Sequence, residues 1–249
     1  MKVIGIIPAR FASTRFPGKP LTLIHGKTMI QRVYNRASQA TKLSKVVVAT
    51  DDQRIYDHVK DFGGEVVMTS TSHPSGTDRC AEALKRCDEH YDLVINIQGD
   101  EPYIHPQQID LLVDCFNNKD ASIGTLVKQI TDADELQNRN IPKVVRDVSG
   151  WALYFSRQPI PYSKAEETIS FINKGLYFKH IGIYGYRAEI LPVLASLPPG
   201  NLEICESLEQ LRWIESGYKI MTAVSGHENI AVDTPSDVVL IEQRFKISD

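Results

Sequence analysis

The feature that most constrains the fold is an alternation of short β-branched runs with amphipathic stretches through the first half of the chain. The runs read KVIGII, KVVVAT, EVVMT and DLVINIQ. This alternation is typical of βαβ units and predicts an α/β fold with a mostly parallel sheet. The amphipathic stretches predict helices over 28–40, 52–62, 77–88 and 106–117. Ser75 or Thr77 would cap the third of these, and Pro106 fits the first turn of the fourth.

The second half of the chain has a different pattern. From about residue 142 it contains the longer alternating runs KVVRDVSGWALYFSR and YFKHIGIYGYR, which predict antiparallel strands joined by a loop near 161–175. Aromatic residues are dense there and favour packing, with a dimer contact as a reasonable use. The pattern NLEICESLEQLRWIESG predicts a helix, and KIMTAV a short strand. A last helix begins with Thr234 as N-cap, Pro235 at N1 and Asp237 at N3.

Length and composition narrow the class of protein. The 249 residues fit one α/β domain over 1–249 with an excursion at about 150–190. A net charge of -3 gives no general attraction to nucleic acid. The N-terminal apolar stretch is too short to span a bilayer and lacks a signal-peptide layout, so we expect a cytoplasmic protein without membrane insertion. The four cysteines form no C-x-x-C pair, which argues against a disulfide framework or a zinc site.

The loop after the first strand is the first candidate site. In an open parallel sheet ligands bind at the carboxyl ends of the strands, here the loops after Ile7, Thr50 and Gln98. The segment IPARFASTRFPGKPL places Arg10, Arg15 and Lys19 in the first of these loops. Small residues between the cations allow close approach of a phosphate chain: Ala9, Ala12, Ser13, Thr14 and Gly18. Three cations and backbone amides match the charge of a triphosphate.

Two known phosphate-binding motifs are excluded. HGKT at 25–28 ends like a Walker A motif, but the first glycine that this motif requires would fall on Leu21. The chain contains no G-x-G-x-x-G. The sequence therefore supports neither a P-loop NTPase nor a dinucleotide-binding dehydrogenase.

Carboxylates at two other strand ends are the candidate metal ligands. Asp100 follows the strand DLVINIQ and could hold Mg²⁺, which prefers one or two carboxylates together with phosphate oxygens and water. Asp233 in AVDTP is either the second ligand or a turn residue beside a helix N-terminus, and the pattern favours neither. Glu101 is more simply a loop acid held away from the metal. Asp52, in the doublet Asp51–Asp52, most simply starts the next helix.

Together these segments resemble the CMP-Kdo synthetases, the family of 3-deoxy-manno-octulosonate cytidylyltransferases. The resemblance runs in order over nearly the whole chain. It rests on these segments: IPARFASTRFPGKPL, VVVATDD, SGTDR, NIQGDEP, ALYFSR, HIGIYGYR, LEQLR and VDTPSD. It implies a Rossmann-like nucleotidyltransferase fold whose antiparallel excursion serves dimerisation. It also implies transfer of CMP from CTP to the anomeric hydroxyl of a 3-deoxy-ulosonic acid sugar, with Mg²⁺, in lipopolysaccharide biosynthesis.

The resemblance also assigns roles to residues. It implies that the triphosphate is bound by Arg10, Ser13, Arg15 and Lys19, and the metal by Asp100 and Asp233, with Lys19 joining the two carboxylates in catalysis. For the sugar it implies Arg79, Gln98, Arg157, His180, Tyr184, Glu209 and Gln210. Two alternatives stay open at this point: activation of a related ulosonate such as an 8-amino or sialic-type acid, and a catalytically silent nucleotide-binding protein.

Overall fold

A computed structural model describes residues 1–12, 16–164 and 167–245. The strands are β1 Val3–Ala9, β2 Leu23–Ile24, β3 Lys27–Thr28, β4 Lys45–Thr50, β5 Val66–Met68, β6 Leu93–Asn96, β7 Ile123–Gln129, β8 Lys143–Arg146, β9 Ala152–Ser156, β10 Phe178–Arg187 and β11 Ile220–Val224. The α-helices are α1 Met29–Ala37, α2 Gln53–Asp61, α3 Gly76–Lys85, α4 Pro106–Asp114, α5 Ala133–Gln137, α6 Thr168–Asn173, α7 Leu191–Ser196, α8 Asn201–Glu206, α9 Gln210–Glu215 and α10 Pro235–Arg244. None of these helices has the length and apolar character needed to cross a bilayer.

The chain divides into two compact units. The first comprises Met1–Asp110, Arg187–Ala195 and Asn229–Asp249, and the second comprises Leu111–Tyr186 and Ser196–Glu228. The expectation of one domain over 1–249, made from chain length, stays a prediction. The four cysteines are all free thiols, in agreement with the sequence.

The first unit contains the parallel sheet that the alternation predicts. Its strand order is β6-β1-β4-β5, and all three pairings are parallel. β1 is the inner strand whose residue Ile4 faces Lys45 on one side and Val94 on the other. Every residue of β1 is buried except Pro8, as expected for a strand covered on both faces. The carboxyl ends of β1 and β6 therefore lie side by side.

The predicted helices of this unit are confirmed, with ends that side-chain caps define. Thr28, Asp52 and Ser75 precede α1, α2 and α3, and their side-chain oxygens accept from the backbone N–H groups of Gln31, Arg54 and Asp78. Each cap stabilises the first turn by satisfying an otherwise free donor. The helices end one to three residues earlier than predicted.

The second unit is a mixed sheet. β7 pairs in parallel with β11 and antiparallel with β10, and the segment β10-β8-β9 is antiparallel throughout. The antiparallel prediction for the runs after residue 142 is confirmed. No strand was predicted over β7, although the turn-type segment NNKD at 117–120 precedes it.

Two predictions in the second unit are wrong. The segment expected as a plain loop near 161–175 contains the short helix α6. The single helix expected over NLEICESLEQLRWIESG is two helices, α8 and α9, separated at Ser207, whose backbone is left-handed with φ 53°. A residue distant in the chain contacts the break. Arg157 donates from Nε to the carbonyl of Glu206 and from Nη2 to the carbonyl of Ser207, which satisfies carbonyl groups at the end of α8.

Candidate active site

Lys19 joins the two predicted metal ligands. It begins a 3-10 turn, Lys19–Leu21, directly after Gly18. Its Nζ lies 2.7 Å from Oδ2 of Asp100 and 4.0 Å from Oδ1 of Asp233. It also donates to the carbonyl oxygen of Val232 at 2.9 Å. Three separate segments of the sequence, at 19, 100 and 232–233, thus meet at one ammonium group.

Gly18 allows the turn that presents Lys19. Its φ is 73°, a left-handed conformation that favours glycine, and an added Cβ would lie 3.1 Å from the ring of Phe11. The N–H of Gly18 donates to the carbonyl of Phe11, and the guanidinium carbon of Arg54 lies 3.3 Å from the centre of the same ring. Ser13 and Arg15, predicted to bind the triphosphate, lie outside the described residues.

A cavity of about 250 Å³ opens at the carboxyl ends of β1 and β6. Five of the predicted site residues line it: Arg10, Lys19, Arg79, Gln98 and Asp100. The strands approach closely here, since a Cβ on Gly99 would lie 2.7 Å from the carbonyl oxygen of Pro8. This position of a ligand cavity, beyond the carboxyl ends of parallel strands, is the one expected for an open α/β sheet.

Arg79 is held in the cavity wall by partners that the sequence did not identify. Its side chain is buried, with Nη2 at 2.9 Å from Oδ2 of Asp51 and Nη1 at 2.6 Å from Oγ1 of Thr69. Asp51 received no role from the sequence, because its neighbour Asp52 explained the acidic pair as a helix cap. Only its position directly after β4, at the carboxyl end of a parallel strand, could have indicated a role for Asp51 in the sequence.

Asp233 is placed by the start of α10. The capping box predicted from Thr234 and Asp237 is present: the Asp237 carboxylate accepts from the N–H of Thr234 at 2.7 Å and from the N–H of Asp233 at 2.9 Å. Burial acts to raise the pKa of Asp237, but these donors outweigh it and the pKa is lowered. α10 is anchored through Ile241, which belongs to a buried cluster with Ile24 and Met29.

Glu101 is turned away from the cavity, as the sequence predicted. It is buried and bonded to the side-chain amide of Asn229, which in turn contacts Gln108. Burial first, and then the charge of Asp100, raise the pKa of Glu101 to about 8. A carboxyl group in this state is a poor metal ligand.

The two carboxylates beside Lys19 are suitable ligands for a magnesium ion. Asp100 and Asp233 are hard oxygen ligands that converge on the same point, and Mg²⁺ commonly uses one or two carboxylates with the remaining positions filled by substrate phosphates and water. Among the residues that the structure describes, no cluster of three or more metal-binding side chains exists. An ion here would thus depend on the ligand for part of its coordination.

Two of the predicted sugar residues of the second unit, Tyr184 and Gln210, are buried, and His180 packs beside Tyr184. The ring centres of His180 and Tyr184 are 5.3 Å apart, and Tyr184 packs edge-on against Trp213 at 5.1 Å. The Tyr184 hydroxyl and the Gln210 side-chain nitrogen are buried, and neither has a hydrogen-bond partner within the described ranges. Buried polar groups normally find partners, so a ligand or water is expected to complete these two.

Two pKa shifts describe the electrostatics of this group. Removal from water lowers the pKa of His180 to about 3, which leaves the imidazole neutral near pH 7. Burial likewise raises the pKa of Tyr184 well above its usual range. Both side chains therefore act as uncharged hydrogen-bonding groups.

Arg157 and Glu209 lie near the junction of α8 and α9. The Arg157 guanidinium donates to the carbonyl oxygens of Arg139, Glu206 and Ser207. This arrangement commits it to the backbone, where it supports the segment that precedes Glu209. Glu209 is the residue before α9, and Gln210 is its first residue.

Fold and site together define the class of protein: an α/β protein with a cluster of basic and acidic side chains in a cavity at the carboxyl ends of parallel strands. Residues 4–220 match the family model described as Cytidylyltransferase. The chain is 51% identical to the 3-deoxy-manno-octulosonate cytidylyltransferase of Parabacteroides distasonis, with 96% of both chains covered. It is also 51% identical to the enzyme of the same name from Bacteroides thetaiotaomicron, with 99% of both chains covered.

A solved structure agrees with these relatives. The chain matches CMP:2-keto-3-deoxy-manno-octonic acid synthetase complexed with CTP, with a TM-score of 0.91, 40% identity and 98% of both chains covered. The chain belongs to the family of 3-deoxy-manno-octulosonate cytidylyltransferases. The resemblance found in the sequence is confirmed, as is the nucleotidyltransferase-type α/β fold.

Proposed function

We propose that this chain transfers CMP from CTP to the anomeric hydroxyl of 3-deoxy-D-manno-octulosonate (Kdo), giving CMP-Kdo and pyrophosphate for lipopolysaccharide synthesis. The observation that carries the proposal is the convergence of Lys19, Asp100 and Asp233 at the edge of a cavity that Arg10 and Gln98 also line. Family membership supports the identity of both substrates.

The cations of the first unit would bind and neutralise the triphosphate. Lys19 has three N–H donors, of which Asp100 and the Val232 carbonyl take two, so one remains for a phosphate oxygen. Arg10 lines the same cavity and can bind phosphate through paired N–H groups. Nucleotidyl transfer depends mainly on positioning and charge stabilisation, so this chain's cations lower the barrier by stabilising pyrophosphate as it leaves.

Asp100 and Asp233 would hold Mg²⁺, whose chemistry when bound is to orient phosphate oxygens and to lower the pKa of a hydroxyl. Gln98 and Arg79 would contact the sugar from the cavity wall. The family resemblance also assigns sugar binding to Tyr184, Gln210 and His180 of the second unit, and these side chains are uncharged hydrogen-bonding groups. Glu209 would assist as an acceptor, whereas Arg157 would act by holding the backbone before it.

A pyrophosphate-release assay tests the proposal. The purified protein is incubated with CTP, MgCl₂ and one acid at a time: Kdo, 8-amino-Kdo, N-acetylneuraminic acid, or none. We expect release with Kdo. Release with none of the acids would contradict an enzymatic role, and release only with one of the other acids would reassign the acceptor.

The metal assignment has a sharper test. Asp100→Asn removes one anionic ligand, and we expect kcat to fall at least about 100-fold because charge stabilisation in the transition state is lost. Asp120→Asn is the matched control, since Asp120 is an exposed loop residue and the same change there leaves kcat unaltered. Near-normal turnover of Asp100→Asn over a MgCl₂ titration would remove Asp100 from the site.

We also propose a homodimer in the cytoplasm, where CTP is available. Apolar side chains at least half exposed occur along the predicted excursion: Leu153, Tyr162, Ile169 and Leu176. Exposed apolar groups concentrated in one stretch of chain support an interaction surface. Light scattering behind size exclusion should give the mass of two chains, and the mass of one chain would contradict the dimer.

A further inference from the structure

β10 departs from regular strand geometry beside the predicted sugar residues. In its pairing with β7, His180 faces Val127 and Ile181 faces Leu126, but the next paired residue is Tyr184, which faces Thr125. Gly182 and Ile183 are thus two extra residues, a β-bulge. As a result His180 and Tyr184, four positions apart in sequence, face Val127 and Thr125, which are only two positions apart on β7. The centres of the His180 and Tyr184 rings are 5.3 Å apart.

The hydroxyl of Thr125 lies inside this bulge. Thr125 is fully buried on β7. Its Oγ1 is 2.7 Å from the carbonyl oxygen of Ile183 and 3.2 Å from that of Ile181. The same oxygen is 3.0 Å from Nε2 of His180. One hydroxyl group therefore contacts both carbonyls of the bulge and the histidine ring.

Counting protons determines the direction of these bonds. A hydroxyl has one hydrogen, and carbonyl oxygens can only accept, so the Thr125 hydrogen goes to the bulge carbonyls. Oγ1 must then accept from His180, which requires the hydrogen on Nε2. The low pKa of His180 leaves the ring neutral with one N–H in all, and Nδ1 therefore carries a lone pair.

We propose that Thr125 is a positioning residue for the acceptor-sugar site: it fixes the Nε2–H tautomer of His180 and holds the bulge that keeps His180 beside Tyr184. The consequence is that His180 offers Nδ1 as a hydrogen-bond acceptor, which recognises a sugar hydroxyl as donor. This inference rests on the proposed function, in which His180 and Tyr184 contact the sugar.

The tautomer is tested first, in the protein without substrates. Long-range ¹H–¹⁵N NMR at pH 7 distinguishes the two neutral forms of a histidine, and a spectrum of His180→Gln assigns the signal. We expect hydrogen on Nε2 alone. Hydrogen on Nδ1, or a doubly protonated ring, would overturn the proposal. The tautomer is measured without substrates and does not depend on activity. A protein inactive with Kdo would therefore refute the proposed function, while the NMR spectrum would still decide the tautomer of His180.

The kinetic test compares two substitutions at one position. Thr125→Val keeps the branched shape and removes the hydroxyl; we expect KM for Kdo to rise about tenfold, the effect of one lost buried hydrogen bond, while KM for CTP changes less than about twofold. Thr125→Ser keeps the hydroxyl and should restore KM for Kdo. Equal increases in both KM values, an unchanged KM for Kdo, or failure of serine to restore it would each overturn the proposal.

The matched control is Thr222→Val. Thr222 is also buried on a strand of the second unit, and its hydroxyl donates to the carbonyl of Gly150 at 2.7 Å. It contacts neither the bulge nor His180 through its hydroxyl. We expect this control to lower thermal stability and leave KM for Kdo unchanged. If Thr125→Val does not fold, the tautomer measurement together with Thr125→Ser decides the question.

Discussion

At the scale of single residues, the site is defined by which groups remain charged. Lys19 forms ion pairs with both Asp100 and Asp233. His180 and Tyr184, by contrast, are kept neutral by removal from water. The two sets of residues thus differ in chemistry: the first consists of charged groups and the second of neutral hydrogen-bonding groups.

The neutral state of His180 predicts a pH dependence of stability. Its pKa is about 3 in the folded protein and about 6.5 in an unfolded chain, so between these values the unfolded chain binds more protons. The free energy of unfolding should therefore fall as pH falls from about 6.5, by up to about 1.4 kcal/mol per pH unit from this group.

His180→Gln isolates this contribution. Urea unfolding of both proteins at pH 7, 6 and 5 should show that the wild type loses stability more steeply than the variant. Parallel dependences on pH would mean that folding does not lower the pKa of His180.

At the scale of elements, helix ends place the functional residues. The start of α10 holds Asp233 through the Asp237 carboxylate, and the junction of α8 and α9 presents Glu209 and Gln210. Both sites depend on a few hydrogen bonds at a helix terminus. Changes at these ends are therefore expected to affect both stability and function.

Asp237→Ala tests the coupling at α10. Loss of the cap should cost about 1 kcal/mol and, because the N–H of Asp233 loses its acceptor, should raise the MgCl₂ concentration needed for half-maximal rate. Asp132→Ala removes an equivalent side-chain cap from α5 and should change stability alone. An unchanged MgCl₂ requirement in Asp237→Ala would show that the cap does not position Asp233.

Ser207 tests the junction of α8 and α9. Its φ of 53° is unfavourable for any residue with a Cβ, so Ser207→Gly should stabilise the protein by about 0.5 to 1 kcal/mol. Ser216 is the C-cap of α9 and has φ -84°, a value that residues with a Cβ adopt without strain. Glycine there would only increase the conformational entropy of the unfolded chain, so Ser216→Gly should destabilise the protein. Chemical denaturation of both variants measures the difference, and a destabilised Ser207→Gly would contradict this reading of the junction.

At the scale of the whole molecule, ligand binding should be visible as stability. A ligand that binds only the folded chain adds about 2.7 kcal/mol at 100 times its Kd, and we expect CTP with MgCl₂ to raise Tm accordingly. Arg10→Ala should reduce this increase, since Arg10 lines the cavity. Arg36 lies on α1 and does not line the cavity, so Arg36→Ala should leave the increase in Tm unchanged. Equal increases in Tm for both variants would remove Arg10 from the nucleotide site.

The sequence by itself determined the parallel sheet of the first unit, its capped helices and the family. Each of these depends on local signals: β-branched runs, a serine, threonine or aspartate before a helix, and short motifs read in order. Lys19 and Asp100 became candidate site residues in the same way, because strand ends are visible in the sequence, whereas the metal role predicted for Asp233 came from the family resemblance.

Only the tertiary structure decided the rest. It divided one helical pattern at Ser207, paired Arg79 with Asp51, and formed the bulge that joins His180, Tyr184 and Thr125. The physical reason is that these features depend on partners distant in the chain. A periodic pattern records which face of an element is buried, but not which carbonyl an arginine will bind or which hydroxyl will fill a bulge.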